Sequence, residues 1–123
     1  MMKTTLLIVF FGLFLNGFSQ KKPLIERYDE VVKAGIKALD DAMKAPDGEL
    51  FLLKEENGIT GIYDFDVTLH EKGEVATVLV NNRDGGTIGM QNLLKDYVRE
   101  MKFKFKMPRG RDYKFNYVFN FNQ

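Results

Sequence analysis

A single histidine and the absence of cysteine leave this chain few residues for covalent chemistry. His70 is the only histidine among the 123 residues, and Ser19 is the only serine. Nucleophilic catalysis by these residue types needs a serine or cysteine held beside a base. Because residues 20–123 contain neither of them, the sequence excludes the Ser-His-Asp and Cys-His arrangements from that part of the chain.

Two carboxylates share one face of a predicted strand. Asp64 and Asp66 lie about 7 Å apart at the usual rise of a strand, a spacing that could suit a cation or an acid–base pair. No third or fourth ligand is near them in the sequence, so we expect a solvated strand face, and an enzyme that uses this pair is the third choice of function. Residues 81–86 lack the spacing of a calcium loop and the glycine-lysine of a phosphate loop. We therefore expect no enzyme, no cofactor and no metal site.

Near the C-terminus, lysines alternate with apolar residues in a pattern that also occurs in nucleic-acid binding. The lysines are Lys102, Lys104 and Lys106, and the apolar residues are Phe103, Phe105 and Met107. Platforms for single-stranded nucleic acid expose their aromatic side chains beside the basic ones. In an extended chain, successive side chains point to opposite faces. The two kinds of residue therefore separate here, and we expect no nucleic-acid partner.

Two amphipathic helices are predicted to position these residues. Residues 23–44 place apolar side chains three and four positions apart, and turn signals at residues 45–48 end this N-terminal helix, which we assign to the region 20–48. Thr87 can cap a second helix whose apolar stripe reaches Met101. Between them we expect a short strand at residues 49–53 and a loop at residues 54–61.

Three further segments have the period of two that is typical of strands. Residues 62–70 alternate apolar with polar side chains, whereas both faces of residues 75–81 are apolar, which predicts an interior strand. Residues 113–121 place five aromatic side chains on one face. At about 25 cal/mol per Å² of apolar surface, a slip of one residue would cost more than the stability of a small domain. The predicted fold class is α+β, a small antiparallel sheet packed by two amphipathic helices.

Residues 1–19 have the features of a cleaved export signal. Lys3 precedes an apolar run at residues 6–15, and Gly17 and Ser19 supply the small residues that precede a cleavage site. Ten residues rise only about 15 Å as a helix, half of the hydrocarbon core of a bilayer. We therefore expect a signal peptide at residues 1–19, a single domain at residues 20–123 without a stable membrane anchor, and a periplasmic or secreted location.

Charge is balanced overall but is divided unevenly along the chain. The 18 basic and 17 acidic residues give a formal net charge of +1, which favours neither nucleic acid nor an anionic membrane as the partner. From residue 95 to the C-terminus, however, eight basic residues outnumber three acidic ones. Separated charge of this kind can steer an acidic partner, or it can support head-to-tail contact between two copies in a homodimer.

The order of the elements over residues 60–122 resembles a known family. The residues that carry the resemblance are Phe65-Asp66-Val67-Thr68, Gly73-Glu74-Val75, Val78-Leu79-Val80, residues 101–108 and Val118-Phe119-Asn120-Phe121. This part of the chain resembles the C-terminal domain of TonB, the energy transducer of Gram-negative envelopes. The resemblance implies that the last strand can pair with an extended partner segment, such as the box of an outer-membrane receptor.

The chain has three prolines, none of them clustered, whereas a transducer needs a long proline-rich spacer. We therefore expect a periplasmic module of the cell envelope that binds a protein or an extended peptide segment by strand addition. The expected partner-binding residues are the basic residues of the last third of the chain and the polar side of the last strand: Lys102, Lys104, Lys106, Arg109, Arg111, Lys114, Asn116, Val118 and Asn120.

Two alternatives remain, an accessory of energy-coupled envelope transport and a cystatin-like helix-on-sheet domain that acts as an inhibitor or ligand carrier. Helix packing separates the two folds. A TonB-like domain would pack the helix at residues 87–101 beside the last two strands. A cystatin-like sheet would be wrapped mainly around the helix at residues 23–44.

Overall fold

A computed structural model describes residues 22–122, and these residues form three helices and three strands. The predicted signal peptide lies outside the described residues. The helices are α1 (Tyr28–Ala42), α2 (Glu49–Asn57) and α3 (Ile88–Glu100), and the strands are β1 (Ile62–His70), β2 (Glu74–Asp84) and β3 (Tyr113–Asn120). No helix within residues 22–122 combines the length and apolar character needed to cross a membrane. The predicted α+β class is confirmed.

β1 is the central strand of the sheet. It pairs antiparallel with β2 on one side and with β3 on the other. A short turn joins β1 to β2, in which the N–H of Gly73 donates to the carbonyl of His70 at 2.9 Å. Gly73 has φ 81°, and a Cβ there would collide with the carbonyl oxygens of Phe103 and Phe105, so both conformation and space require glycine. β1 and β2 therefore form an antiparallel hairpin.

β2 is an edge strand, and the prediction of an interior strand was wrong. Two register shifts leave Ala76 and Asn81 without a partner in β1, which makes each of them a β-bulge. Because a bulge resets the alternation, Val75, Val78 and Val80 all pack toward the core. The bulge at Ala76 thus accounts for the inward Val75, whereas Leu79 lies on the outer face and is exposed. The strand also continues past its predicted end at residue 81, to Asp84.

The expected short strand at residues 49–53 is instead the first half of α2. Leu50 and Leu53, three residues apart, are its buried side chains, and Gly48 fits at its start where a Cβ would collide with backbone atoms of Ala42 and Lys44. A short apolar run does not distinguish a strand from a buried helix. The fold therefore contains a third helix beyond the two predicted.

α1 begins later than predicted because the residues before it are extended. Ile25 donates its N–H to the carbonyl of Lys106 at 2.9 Å, and Lys106 donates to the carbonyl of Pro23 at 2.9 Å. Residues 101–107 are themselves extended, forming isolated bridges rather than a regular strand. Their alternation follows the prediction, with the apolar side chains buried and the three lysines exposed.

α1 and α3 pack against the sheet, and α2 packs against α1 and adds residues to the same core. The core combines the inward side chains of β1 and β3 with residues of each helix, and Thr87 caps α3 as predicted, accepting from the N–H of Met90 at 3.1 Å. α3 packs against β2, whereas α1 packs against β3 and α2. Each of these two helices therefore covers one edge strand, and neither of them alone covers the whole sheet. The outward side chains of β1 and β3 are half-buried or exposed.

Candidate functional site

β3 forms one edge of the sheet. It pairs with β1 from Tyr113 to Asn120 without a register shift, and no strand within residues 22–122 lies on its other side. Most of its aromatic side chains are buried against the helices, which fixes the register because a slip would turn them outward. The far side of such an edge presents main-chain N–H and C=O groups that have no partner in their own sheet.

Contacts at both ends of β3 establish which main-chain groups point outward. Phe121 donates its N–H to the carbonyl of Gly61, on the β1 side, at 2.9 Å. At the other end, Lys114 donates its N–H to the hydroxyl of Tyr28 at 2.9 Å, and its carbonyl accepts from that hydroxyl at 3.0 Å. The direction of main-chain groups alternates along a strand. Odd-numbered residues of β3 therefore face β1, and even-numbered residues face away from it.

Three even-numbered residues make up the open part of this edge, and we call them the docking edge: Asn116, Val118 and Asn120. They present a row of N–H donors and C=O acceptors, spaced every second residue as an added strand requires. At the centre of the row, the Val118 side chain is 48% exposed. Lys114 points the same way, but its two main-chain groups are bonded to Tyr28.

The opposite edge of the sheet, β2, is less suited to strand addition. Its two bulges interrupt the regular spacing of its main-chain groups. The start of β2 also lies beside residues 101–107, where Glu74 bridges to Lys102 and Phe103 donates to the carbonyl of Gly73 at 2.8 Å. Bulges and covering segments are the usual means by which proteins prevent pairing at a sheet edge. Of the two edges, β3 is the uninterrupted one.

Two tyrosine hydroxyls tie the helices to the rest of the fold. Tyr117 of β3 donates to Asp40 of α1 at 2.5 Å. Burial is the main cause of the raised pKa of the Tyr117 hydroxyl, and this hydrogen bond is the second cause. Tyr97 of α3 donates to Glu49 of α2 at 2.8 Å. Burial, and to a smaller extent this hydrogen bond, raises the pKa of the Tyr97 hydroxyl to about 12. Both hydroxyls stay protonated at neutral pH and act as donors. The first of them fixes α1 directly against the strand that carries the docking edge.

The basic residues predicted to bind a partner gather at the end of the sheet where β3 begins, and we call the following five the basic group. They are Lys102, Lys104 and Lys106 of the extended segment and Arg109 and Arg111 of the turn that follows it. All five are exposed. Lys102 lies beside Glu74 at the start of β2, the edge opposite the docking edge, whereas Arg109 and Arg111 belong to the turn that leads into β3.

Contacts of this basic region are weak. The Nζ of Lys102 is 3.9 Å from Glu74, the Nζ of Lys114 is 4.0 Å from Asp66, and the guanidinium of Arg111 lies 5.3 Å from the ring centre of Tyr113. Exposed ion pairs of this kind contribute little to stability. Their positive charge therefore remains available to an acidic partner.

Sequence reasoning missed three residues at this end of the molecule. Lys22 donates from its Nζ to the carbonyl of Lys72 at 2.9 Å, which adds two lysines to the same region from distant parts of the chain. Tyr28 falls within the predicted N-terminal helix, whose spacing gives no indication of the contact with Lys114. No local signal reveals any of these positions, because each depends on a contact between residues far apart in sequence.

Asp64 and Asp66 lie on the sheet face that the helices leave open. Asn116 of β3 donates to their Oδ1 atoms at 2.5 and 3.1 Å, and Asn81 of β2 donates to the same atoms at 3.3 and 2.9 Å. The hydrogen bonds from these two amides hold the pKa of Asp66 below its usual range, and the bond from Asn116 has the larger effect. Stabilising the ionised form makes this carboxyl a poor general acid at neutral pH. The pair instead links all three strands.

His70 is paired with a carboxylate in the turn that precedes β3. Its Nδ1 lies 2.8 Å from Oδ1 of Asp112, and this hydrogen bond is the main cause of the raised pKa of His70. Within residues 22–122, His, Cys, Asp and Glu side chains form no group of three or more that could hold a metal ion. The contact joins the β1–β2 turn to the start of β3.

An open groove of about 520 Å³ lies between α1 and residues 101–105. Three basic and three acidic side chains line it, so it favours neither charge: Lys37, Lys102, Lys104, Asp41, Asp47 and Glu49. Ligand sites usually add a few placed polar groups to an enclosed apolar pocket, and none of the polar or charged side chains within residues 22–122 is buried. The groove is a weaker candidate than the docking edge.

Comparisons of the chain with family models, with curated proteins and with solved structures found no match. The candidate site is therefore supported by the main-chain geometry of β3 and by the charges near its start.

Proposed function

We propose that this protein is an exported envelope module that binds an extended segment of another protein by strand addition at the docking edge. The observation that carries the proposal is the row of outward main-chain groups at Asn116, Val118 and Asn120, deduced from the contacts of Lys114 and Phe121. In strand addition, main-chain hydrogen bonds supply affinity and alternate side chains supply specificity. The resemblance of residues 60–122 to the C-terminal domain of TonB points to the same strand.

The proposed partner segment carries acidic side chains. A strand added to the docking edge has one of its ends close to Lys114 and to the turn that carries Arg109 and Arg111, with the three lysines of the basic group at the same end of the sheet. Positive charge at that end speeds the approach of an acidic segment and disfavours a basic one. The same charges are exposed and weakly paired, so they can turn toward a partner without breaking the fold.

The proposed role is binding in the periplasm and not catalysis. The apolar run at residues 6–15, followed by Gly17 and Ser19, supports export. Protein recovered from the envelope should then have the intact mass of a chain that begins at Gln20. The serine and cysteine nucleophiles of common hydrolases are absent from residues 20–123.

A proline at the centre of the docking edge tests the proposal. Val118→Pro removes one outward N–H, which an edge strand tolerates because that donor has no partner in the sheet. We expect this variant to stay folded and to lose capture of a protein from the envelope of its host. The matched control is Val118→Thr, which keeps the N–H and a β-branched side chain and should bind as the original chain does.

Circular dichroism melts and pull-downs followed by mass spectrometry measure the two properties separately. A protein that is captured by the original chain and by Val118→Thr, but not by a folded Val118→Pro, supports strand addition. Unfolding of the proline variant alone would place the Val118 donor inside the sheet. A folded proline variant with unchanged capture would remove β3 from the partner site.

A further inference from the structure

We infer that Tyr28 limits the length of the docking edge. Its hydroxyl is hydrogen-bonded to both main-chain groups of Lys114, so an added strand can pair only with the stretch from Asn116 to Asn120. This inference rests on the proposed function and adds to it the length and position of the segment that β3 accepts. It assigns a specificity role to a residue in α1, outside the strand that makes the contact.

The geometry of Tyr28 resembles that of a paired strand residue. A strand beside Lys114 would accept from its N–H and donate to its carbonyl, and the single hydroxyl of Tyr28 does both, at 2.9 and 3.0 Å. The ring of Tyr28 lies 5.1 Å from the ring of Tyr113, which is fully buried. Packing against Tyr113 therefore holds the hydroxyl at the edge.

The contact of Tyr28 with Lys114 limits the length of the segment that can bind. Three residues at alternate positions pair with a segment of about five residues. The segment residues opposite Asn116, Val118 and Asn120 have their side chains on the open face, where the exposed Val118 favours an apolar or β-branched neighbour at the centre. The fitting partner is a short extended segment with such a residue at its middle and acidic residues toward the end that reaches Lys114.

Amide hydrogen exchange of the unbound protein, measured by NMR, tests whether Tyr28 closes the edge. We expect the Lys114 amide to exchange at least about tenfold more slowly than the amides of the docking edge. Tyr28→Phe should abolish this difference while keeping the ring against Tyr113. The control Tyr97→Phe removes a hydroxyl that bonds Glu49 and should leave Lys114 protected.

A series of synthetic peptides tests whether the closed edge limits binding. The probes are capped peptides of alternating valine and threonine with a glutamate at each end, about five and about seven residues long. The original chain should bind both lengths equally. Tyr28→Ala, which removes the ring as well as the hydroxyl from the edge, should bind the longer peptide about fivefold more tightly than the shorter, a difference equal to about one further net hydrogen bond.

Three results would overturn the inference, and they are distinguishable. Fast exchange at Lys114 in the original chain, or unchanged slow exchange in Tyr28→Phe, would show that the hydroxyl does not close the edge. The same length dependence in both proteins would show that Tyr28 does not stop an added strand. Failure of the proposed function itself would appear differently, as no binding of either peptide to either protein, and the role of Tyr28 in docking would fall with it.

Discussion

The contact between His70 and Asp112 makes the stability of the fold depend on pH. The carboxylate raises the pKa of His70 in the folded protein, above the unfolded value of about 6.5. The contribution of the pair to stability is therefore complete below about pH 6.5 and is lost as the pH rises through the folded pKa. Both side chains are largely exposed, so we expect a small effect.

Asp112→Asn tests this contact. The pKa of His70, followed by NMR on the only imidazole of the chain, should move down toward 6.5, and the fall of the melting temperature across that pH window should flatten. Asp96→Asn removes a carboxylate from α3 and should leave the titration unchanged. An unaltered pKa in Asp112→Asn would mean that the hydrogen bond does not form in solution.

The grouping of the docking-edge residues could be predicted from alternation along one strand, whereas which group faces outward, and where the open edge ends, could not. Alternation along residues 113–121 was enough to group Lys114, Asn116, Val118 and Asn120, because side-chain face and main-chain direction share a period of two. The closing contact at Lys114 comes from Tyr28, which is separated from it by most of the domain. A pairing of that kind depends on how α1 packs, and periodicity within one element carries no information about it.

At the scale of elements, the close approach of α1 to β3 depends on Gly35. A Cβ at this position would lie 2.8 Å from two ring atoms of Phe115, and both residues are buried. We expect Gly35→Ala to lower the free energy of unfolding by about 1–3 kcal/mol, since the overpacking outweighs the helix propensity of alanine.

The matched control for this substitution lies in α3. A Cβ at Gly89 would meet no atom closer than 3.8 Å, so Gly89→Ala should leave stability unchanged or raise it by up to about 1 kcal/mol. Urea unfolding of both variants makes the comparison. Stabilisation by Gly35→Ala would show that α1 can move away from Phe115 without loss.

Long periodic elements were predictable, and the two wrong assignments of element type or position have physical causes. The period of β1, the aromatic face of β3 and the Thr87 cap of α3 are local properties that the fold preserves. α2 was mistaken for a strand because four apolar or aromatic residues in a row fit either structure. An interior position was predicted for β2 because apolar residues occupy both odd and even positions, and a bulge lets residues of both kinds face the core.

At the scale of the whole molecule, the basic group should control how fast a partner arrives. Changing Lys102, Lys104 and Lys106 to glutamine removes three exposed charges whose pairing is weak, so the melting temperature should stay within a few degrees. Association with the captured partner should slow about tenfold at low salt, and its salt dependence should become flatter. Stopped-flow or surface-plasmon measurements provide the rates.

A second triple variant controls for the change in net charge. Lys33, Lys44 and Lys95, changed to glutamine together, lie outside residues 101–107 and should affect the association rate much less. Equal slowing by both variants would assign the effect to net charge and not to the basic group. A large loss of stability in the first variant would mean that its lysines support the fold.

The central position of β1 has a consequence for the order in which the chain folds. β1 meets β2 across a short turn, but it meets β3 only after β2, α3 and residues 101–112 have been traversed. Closing the longer loop costs more entropy and takes longer, so we expect the hairpin to form before the third strand docks. Until β3 arrives, the far side of β1 is itself an open edge. We expect any extended segment that reaches the nascent hairpin first to compete with the chain's own last strand for this edge.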